Sequence, residues 1–228
     1  MSLLGRAVVA IWNDILPEAR ENFLEWHDRE HIPERVAIPG FLRGRRYVAD
    51  YGRPEYFTLY EAADEAVLTG PDYLARLDAP TPWTREATAA FRNTSRGVCG
   101  IVRSHGLGEG GVMLTLRFDA AAGRAGDLAG HLRPALDALA GAPGVRGVHL
   151  CVADQAASGL ETAERKGREV GVPSWVVLIE GATAAAVDAA CDRLLAGDLA
   201  AHGAAGPIER GLYRLEFCLS RAALDATA

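Results

Sequence analysis

The chain carries one sequence pattern twice, and this repeat constrains its fold more than any other feature. Residues 38–50 read IPGFLRGRRYVAD and residues 142–154 read APGVRGVHLCVAD. Pro39 and Pro143 are 104 positions apart, and the shared VAD endings keep that offset. Similarity at a fixed offset is the signature of a structural unit duplicated within one chain. The sequence therefore predicts two related halves of roughly 100 residues, each large enough for a small core.

The two halves differ in their polar side chains. In the register of the repeat, His31 of the first half aligns with Ala135, and Glu34 aligns with Ala138. The second half thus lacks the polar groups that the first half carries on its first predicted helix. We expect the functional site in the first half and a degenerate copy in the second.

Each half shows the element pattern β-α-β-β-α-β, in which short apolar runs alternate with helical patterns. The predicted strands cover roughly 7–12, 41–51, 56–60, 97–103, 112–118, 148–152, 175–179 and 212–219. The predicted helices cover roughly 17–32, 66–77, 83–91, 127–140 and 184–195. This order defines the ferredoxin-like unit, an antiparallel sheet with its helices on one face.

Two ferredoxin-like units in one chain can bury their uncovered sheet faces against each other. We therefore predict an α+β fold with two tandem ferredoxin-like repeats packed as an intrachain pseudo-dimer, the sheets lying face to face or curled into a barrel. Residues 1–105 form the repeat with the candidate site, 106–111 a linker, and 112–228 the second repeat.

Charge and hydropathy argue against several partners. A net charge of -6 and a pI near 5.5 disfavour nucleic acid. No run of about 18 apolar residues predicts a membrane span, and the first residues do not resemble a signal peptide. The four scattered cysteines favour buried free thiols in a reducing cytoplasm. The expected partner is a small molecule, and a homodimer of the fused pair is a further option.

The segment Glu25–Glu34 concentrates polar side chains on one predicted helix. His27 and His31 are four residues apart and share a helix face with the apolar Phe23, so both imidazoles are expected between helix and sheet. Pro33 cannot donate a backbone hydrogen bond and clashes with the carbonyl four residues earlier. We expect the helix to kink or end at Pro33 and to open space beside His31.

Three interpretations of the histidines are open. They can be structural, and His131 at the position matching His27 supports this for His27. His31 can act as a general acid or base, oriented by His27 or Glu34, because an imidazole titrates near neutral pH. Histidines four residues apart can also share a metal ion with Glu34, but no third ligand is clear and we assign no metal site.

Gln155–Ser174 is polar and rich in charge, and it lies between the second and third strands of the second half. We predict a solvated insertion with one helical turn near 161–166. Its length makes a lid over a binding site the alternative.

The sequence His31-Ile32-Pro33, followed by Ile38-Pro39-Gly40-Phe41 and Arg45-Arg46-Tyr47, resembles bacterial proteins of the EthD-like group in the dimeric α/β-barrel superfamily. The resemblance implies a pocket between sheet and helices and a catalytic role for His31, as in the methylmuconolactone isomerase-like members. The superfamily also contains cofactor-free monooxygenases and chlorite dismutases, so the resemblance does not fix the reaction. Most relatives pair two chains, whereas this chain carries two copies.

Aromatic side chains near the predicted helix and sheet complete the candidate site, because Tyr and Trp combine an apolar body with one polar group. The substrate-binding candidates are Trp12, Tyr47, Tyr60 and Trp83. Arg45 or Arg46 is expected to hold a substrate carboxylate, and only one of them can face the pocket because successive strand residues point to opposite sides. Core filling is the alternative role for the aromatic residues.

The sequence supports two functions. The first is a small-molecule enzyme without an organic cofactor, in which His31, His27 and Glu34 carry acid/base chemistry. Its reaction would be an isomerisation, a lyase step or a cofactor-free monooxygenation of a small aromatic or carboxylated metabolite. The second is a non-catalytic small-molecule-binding or stress-related protein with the same fold.

Overall fold

A closed barrel of eight antiparallel strands forms the centre of the computed structural model, which describes residues 2–226. The strands are β1 (Ala7–Ile15), β2 (Phe41–Tyr51), β3 (Tyr56–Ala62), β4 (Phe91–Gly106), β5 (Val112–Ala120), β6 (Val145–Ala153), β7 (Trp175–Gly181) and β8 (Ala204–Ser220). Around the barrel they follow the order β1-β3-β2-β8-β5-β7-β6-β4, and β4 closes onto β1.

The four strands of each half lie side by side in the same relative order. The first half contributes β4-β1-β3-β2 and the second contributes β8-β5-β7-β6. The two sheets join where β2 pairs with β8 and where β4 pairs with β6. The predicted α+β class is confirmed, and the sheets adopt the barrel arrangement.

Helices cover the outside of the barrel. The first helical segment, α1, consists of a 3-10 turn (Pro17–Ala19), an α-helix (Arg20–Trp26), a π-helical turn (His27–His31) and an α-helix (Ile32–Val36). The others are α2 (Glu65–Thr69), α3 (Pro71–Asp78), α4 (Pro82–Ala89), α5 (Ala125–Leu139), α6 (Gln155–Gly159), α7 (Ala184–Leu195) and α8 (Arg221–Asp225). Thr81 and Thr183 are the N-cap residues of α4 and α7, because each side-chain hydroxyl accepts a hydrogen bond from the backbone N–H three residues later.

Both faces of the central strands are buried. All seven residues of β3 are buried, because side chains alternate between the barrel interior and the helix-covered outside. Phe57 and Leu59 belong to the interior cluster, whereas Tyr60 packs in the outer cluster beneath the helices. A residue's position on one face of β2 or β3 therefore decides whether it reaches the barrel interior or the helices.

Strand β1 is longer than predicted. The pair Asn13-Asp14 does not end the strand, which continues to Ile15 with an irregularity in its pairing with β4 between Trp12 and Asp14. Pairing on both sides holds this stretch extended, since Asn13 also lies opposite Tyr56 of β3. This overrides the local tendency of Asn and Asp to form turns.

No helix within residues 2–226 is long and apolar enough to cross a membrane. Cys99, Cys151 and Cys191 are buried free thiols, as predicted, whereas Cys218 is exposed.

Candidate functional site

A cavity of about 50 Å³ lies between the outer face of the first-half sheet and α1. Strands β1, β3 and β4 form its floor, and α1, α3 and α4 form three of its walls. Its polar lining residues are Asn13, His27, His31, Arg35, Thr58, Tyr60, Tyr73, Thr88, Thr94, Arg96, Glu164, Arg165 and Arg168. A space of this volume has room for only a few molecules the size of water, so a ligand of aromatic size requires one wall to move.

The remaining wall is residues 155–174, which we call the covering segment. It comes from the second half but lies on first-half elements. The Gly171 carbonyl accepts the Arg96 backbone N–H at 2.8 Å, and the Gly171 N–H donates to the Thr94 carbonyl at 2.9 Å. The Glu164 N–H donates to the Leu77 carbonyl at 3.1 Å. The segment is therefore not a solvated insertion, because this docking makes it part of a cavity built from both halves.

A widened helical turn places the two histidines. Pro33 lacks a backbone N–H, and its ring would clash with the Arg29 carbonyl in a regular α-helix. The Ile32 N–H instead bonds to the His27 carbonyl five residues earlier, which gives the π-helical turn. The helix continues to Val36, so Pro33 distorts α1 without ending it. Such turns add one residue to a helix and are frequent at functional sites.

His27 is 3% exposed and stacks on Phe23 with ring centroids 5.0 Å apart. Its Nδ1 lies 3.5 Å from Nη1 of Arg46, and its Nε2 lies 3.4 Å from the hydroxyl of Tyr60. A guanidinium can only donate, so Nδ1 is the acceptor and the neutral ring carries its proton on Nε2. Burial, and then the charge of Arg46, lowers the pKa of His27 well below its usual value.

Of the two cavity histidines, His31 is the one with an unpartnered ring nitrogen among the described residues. It is 5% exposed, and its ring centroid lies 4.2 Å from that of Trp26 and 5.6 Å from that of His27. Its buried Nδ1 has no hydrogen-bond partner among the described residues. Burial, and then the charge of Arg35, lowers the pKa of His31 well below its usual value. At neutral pH the imidazole is therefore uncharged and able to accept a proton.

Arg35 links α1 to the covering segment. Its guanidinium is 2% exposed and forms an ion pair with Glu164, and a second at 3.4 Å with Glu34. The cavity lining holds four arginines, Arg35 among them, against the single carboxylate of Glu164. With both histidines neutral, this lining has an excess of three positive charges.

Of the residues predicted for the site, His27, His31 and Tyr60 come together in the cavity. Glu34 does not line this cavity, and its carboxylate lies 3.0 Å from Nη1 of Arg76. Trp83 packs between α4 and α1, where its indole N–H donates to Asn22 at 2.8 Å.

The remaining predicted residues lie inside the barrel. Trp12 and Tyr47 both pack against Phe57, with ring centroids 4.9 and 5.5 Å away. Arg45 is buried with them and pairs with the carboxylate of Glu180 at 2.9 Å. The barrel wall separates these side chains from the histidines, since they project from the interior faces of β1 and β2.

Sequence reasoning missed the cationic part of the lining. Arg35 directly follows the segment Glu25–Glu34, where charged side chains usually face solvent, and Arg96 lies in a strand without any distinguishing motif. The run Glu164-Arg165-Lys166-Gly167-Arg168 was the available signal, because it concentrates positive charge in a segment long enough to be a lid.

Within residues 2–226, no group of three or more His, Cys, Asp or Glu side chains is arranged to hold a metal ion. Glu34, which the sequence offered as a further metal ligand, therefore does not form such a group with His27 and His31.

Comparison with solved structures shows the same architecture. An anthrone oxidase-like protein matches with a TM-score of 0.63 and 13% identity, covering 97% of this chain and 96% of its own. Proposed monooxygenases from Lactobacillus acidophilus and Fusobacterium nucleatum match with TM-scores of 0.60 and 0.61 and identities of 9% and 8%. The first match covers 95% of this chain and 97% of its own, and the second covers 96% of each.

At these identities the likeness shows the fold alone. The chain has the ferredoxin-like α/β-barrel fold of these neighbours, with its eight strands in one closed barrel. No protein-family model and no curated protein matches the sequence.

Proposed function

We propose that this protein is an enzyme without an organic cofactor, in which neutral His31 removes a proton from a small aromatic or carboxylated metabolite. The observation that carries the proposal is the buried imidazole of His31, whose Nδ1 has no hydrogen-bond partner within residues 2–226 and which lines a cavity with an excess of positive charge. A general base must be unprotonated at working pH, and burial favours that state here.

The proton passes from an acidic C–H group of the substrate to the imidazole, and the electron pair remains on the substrate. The substrate then carries a carbanion or phenolate charge. Arg35 and the other arginines of the lining are placed to stabilise this charge in a site shielded from water. Tyr60 supplies a further donor, because the Nε2 proton of His27 leaves the tyrosine hydroxyl proton free for the substrate.

Proton removal is the step that isomerase, lyase and cofactor-free monooxygenase reactions share. The names of the structural neighbours, an anthrone oxidase-like protein and two proposed monooxygenases, favour the third reaction class. We give Glu34, Trp83, Trp12, Tyr47 and Arg45 no part in the step, since they do not line the cavity.

We further propose that the chain is a tandem, EthD-like pseudo-dimer with its halves divided near residues 106–111. The matching strand order of the two halves and the 104-residue repeat support a duplication. The motif His31-Ile32-Pro33 supports the EthD-like assignment.

The test is exchange of substrate protons with solvent. A library of small phenols, anthrones, lactones and aromatic acids is incubated with the protein in D₂O and examined by mass spectrometry for deuterium incorporation. We expect at least one compound to exchange, and His31→Gln to slow that exchange by about 10²-fold or more. His131→Gln is the matched control, because His131 lies on α5 outside the cavity and should leave exchange unchanged.

An exchange rate that is equal in wild type and His31→Gln would contradict the proposal. Saturable binding of a compound without any deuterium incorporation would instead identify the non-catalytic binding protein. A melting temperature of His31→Gln within a few degrees of wild type ensures that the comparison reports chemistry and not unfolding.

A further inference from the structure

Three arginines of the cavity lack a carboxylate partner. Arg96, Arg165 and Arg168 form no ion pair within 4.0 Å among residues 2–226, whereas Arg35 is paired with Glu164. Arg96 is 7% exposed and donates from Nη2 to the hydroxyl of Tyr73 at 2.9 Å. Arg165 and Arg168 are half-buried. Withdrawing a guanidinium from water without a paired carboxylate costs free energy, so a cluster of three such arginines in one cavity requires an explanation.

The two arginines of the covering segment use part of their guanidinium groups to hold the segment itself. Nη1 of Arg165 donates to the carbonyls of Ser158 and Leu160 at 2.6 and 2.9 Å. Nη2 of Arg168 donates to the Glu164 carbonyl at 2.8 Å. The Nε atoms of Arg165 and Arg168 are buried without a partner in the described structure. These donors are already fixed in place and lack an acceptor.

The three charges are close enough to affect one another. Burial, and then the charge of Arg96, lowers the pKa of Arg165. Burial also lowers the pKa of Arg168, where the charge of Glu164 opposes the shift and the charge of Arg96 adds to it. Apolar surface lies beside them, because the Arg168 guanidinium lies 5.5 Å from the ring centroid of Phe91, and Trp26 and Leu77 line the same cavity. A ligand that fits both the arginine cluster and the neighbouring apolar side chains has a planar apolar body and one anionic group.

We propose that Arg96, Arg165 and Arg168 form an anion-binding subsite that holds the carboxylate of an aromatic acid. A guanidinium matches a carboxylate with two parallel hydrogen bonds, and the anion neutralises the buried charge. Because two of the three arginines belong to the covering segment, binding of the anion fastens the second half over the first. That this acid is the substrate of His31 rests on the proposed function, whereas the binding itself does not.

The subsite is tested by equilibrium binding, without turnover. Benzoate, its uncharged analogue benzamide, acetate and inorganic phosphate are titrated by calorimetry into wild type at low ionic strength. We expect benzoate to bind at least tenfold more tightly than benzamide and than phosphate, and added NaCl to weaken the binding of benzoate but not that of benzamide. Arg165→Gln combined with Arg168→Gln should weaken benzoate at least tenfold, and Lys166→Gln should not, because Lys166 is exposed on the same segment.

Arg165 and Arg168 also hold the covering segment, so Arg168→Gln alone is the second variant if the double variant does not fold. Equal binding of benzoate and benzamide would overturn the proposal. Benzoate affinity that persists in the arginine variants, or tighter binding of phosphate, would also overturn it. In His31→Gln, benzoate affinity should stay within threefold of wild type. Retained benzoate binding without His31-dependent exchange would refute the proposed function and leave the subsite standing.

Discussion

Replacing Glu180 by Gln tests the placement of Arg45 inside the barrel. Arg45 is fully buried, with Nη1 at 2.9 Å from Glu180 and Nη2 at 3.0 Å from Glu61. Removing one partner of a buried ion pair costs about 3–5 kcal/mol, because the other charge stays buried. Glu61 remains beside Arg45 and Gln keeps an acceptor, so we expect about 3 kcal/mol less free energy of unfolding for Glu180→Gln.

Urea unfolding at pH 7.5, followed by circular dichroism, measures this loss. Glu209→Gln is the matched control, since Glu209 pairs with Arg117 but has a side chain that is 56% exposed, and its loss should stay below about 1 kcal/mol. Arg45→Met combined with Glu180→Leu should recover at least half of the loss, because it removes both charges of the pair. If Glu180→Gln costs no more than Glu209→Gln, the buried-pair reasoning is refuted.

Two further predictions concern stability. The free energy of unfolding should fall as the pH drops below about 6.5, by up to about 1.4 kcal/mol per pH unit for each buried histidine. Burial lowers the pKa values of His27, His31 and His149 in the folded state, so the unfolded chain binds protons that the folded chain does not. For His149, whose folded pKa is about 3, the window extends from pH 6.5 to about 3, and urea unfolding at pH 7.5, 6.0 and 5.0 should show a smaller slope in His149→Gln. Leu132→Ala should cost about 2–5 kcal/mol in the same assay, since Leu132 is fully buried on the inner face of α5. Leu107→Ala, at an 84% exposed position, should change the free energy of unfolding little, and equal effects of the two substitutions would contradict the assigned core.

Most helices and strands could be predicted from the sequence, because the residue patterns that indicate them are local. The strand Phe41–Tyr51 and the helix Ala184–Leu195 have the predicted bounds, and both are delimited by nearby turn or capping residues. The repeat supplied the order of elements in both halves. The four-residue spacing of His27 and His31 placed both on one helix face, because helical periodicity fixes which side chains are neighbours.

The faces of the strands were decided by tertiary structure. In a sheet with one solvated face, polar residues mark the outside, but here both faces of β3 are buried and that contrast is lost. Tyr60 therefore reaches the cavity while Tyr47 and Arg45 reach the barrel interior. The sequence alone predicted all three as substrate-binding residues and did not distinguish their directions. Closing the barrel determines these directions, and closure depends on pairing between strands far apart in the chain.

The sequence by itself predicted two ferredoxin-like units and placed a histidine pair on one face of a helix that a proline distorts. Only the tertiary structure decided that Arg165 and Arg168, more than 130 residues further along the chain, complete the same cavity. Local patterns specify helices and strands because those depend on neighbours in the chain. The docking of residues 155–174 onto β4 and α3 depends on the joined sheets of both halves, and no local pattern encodes it.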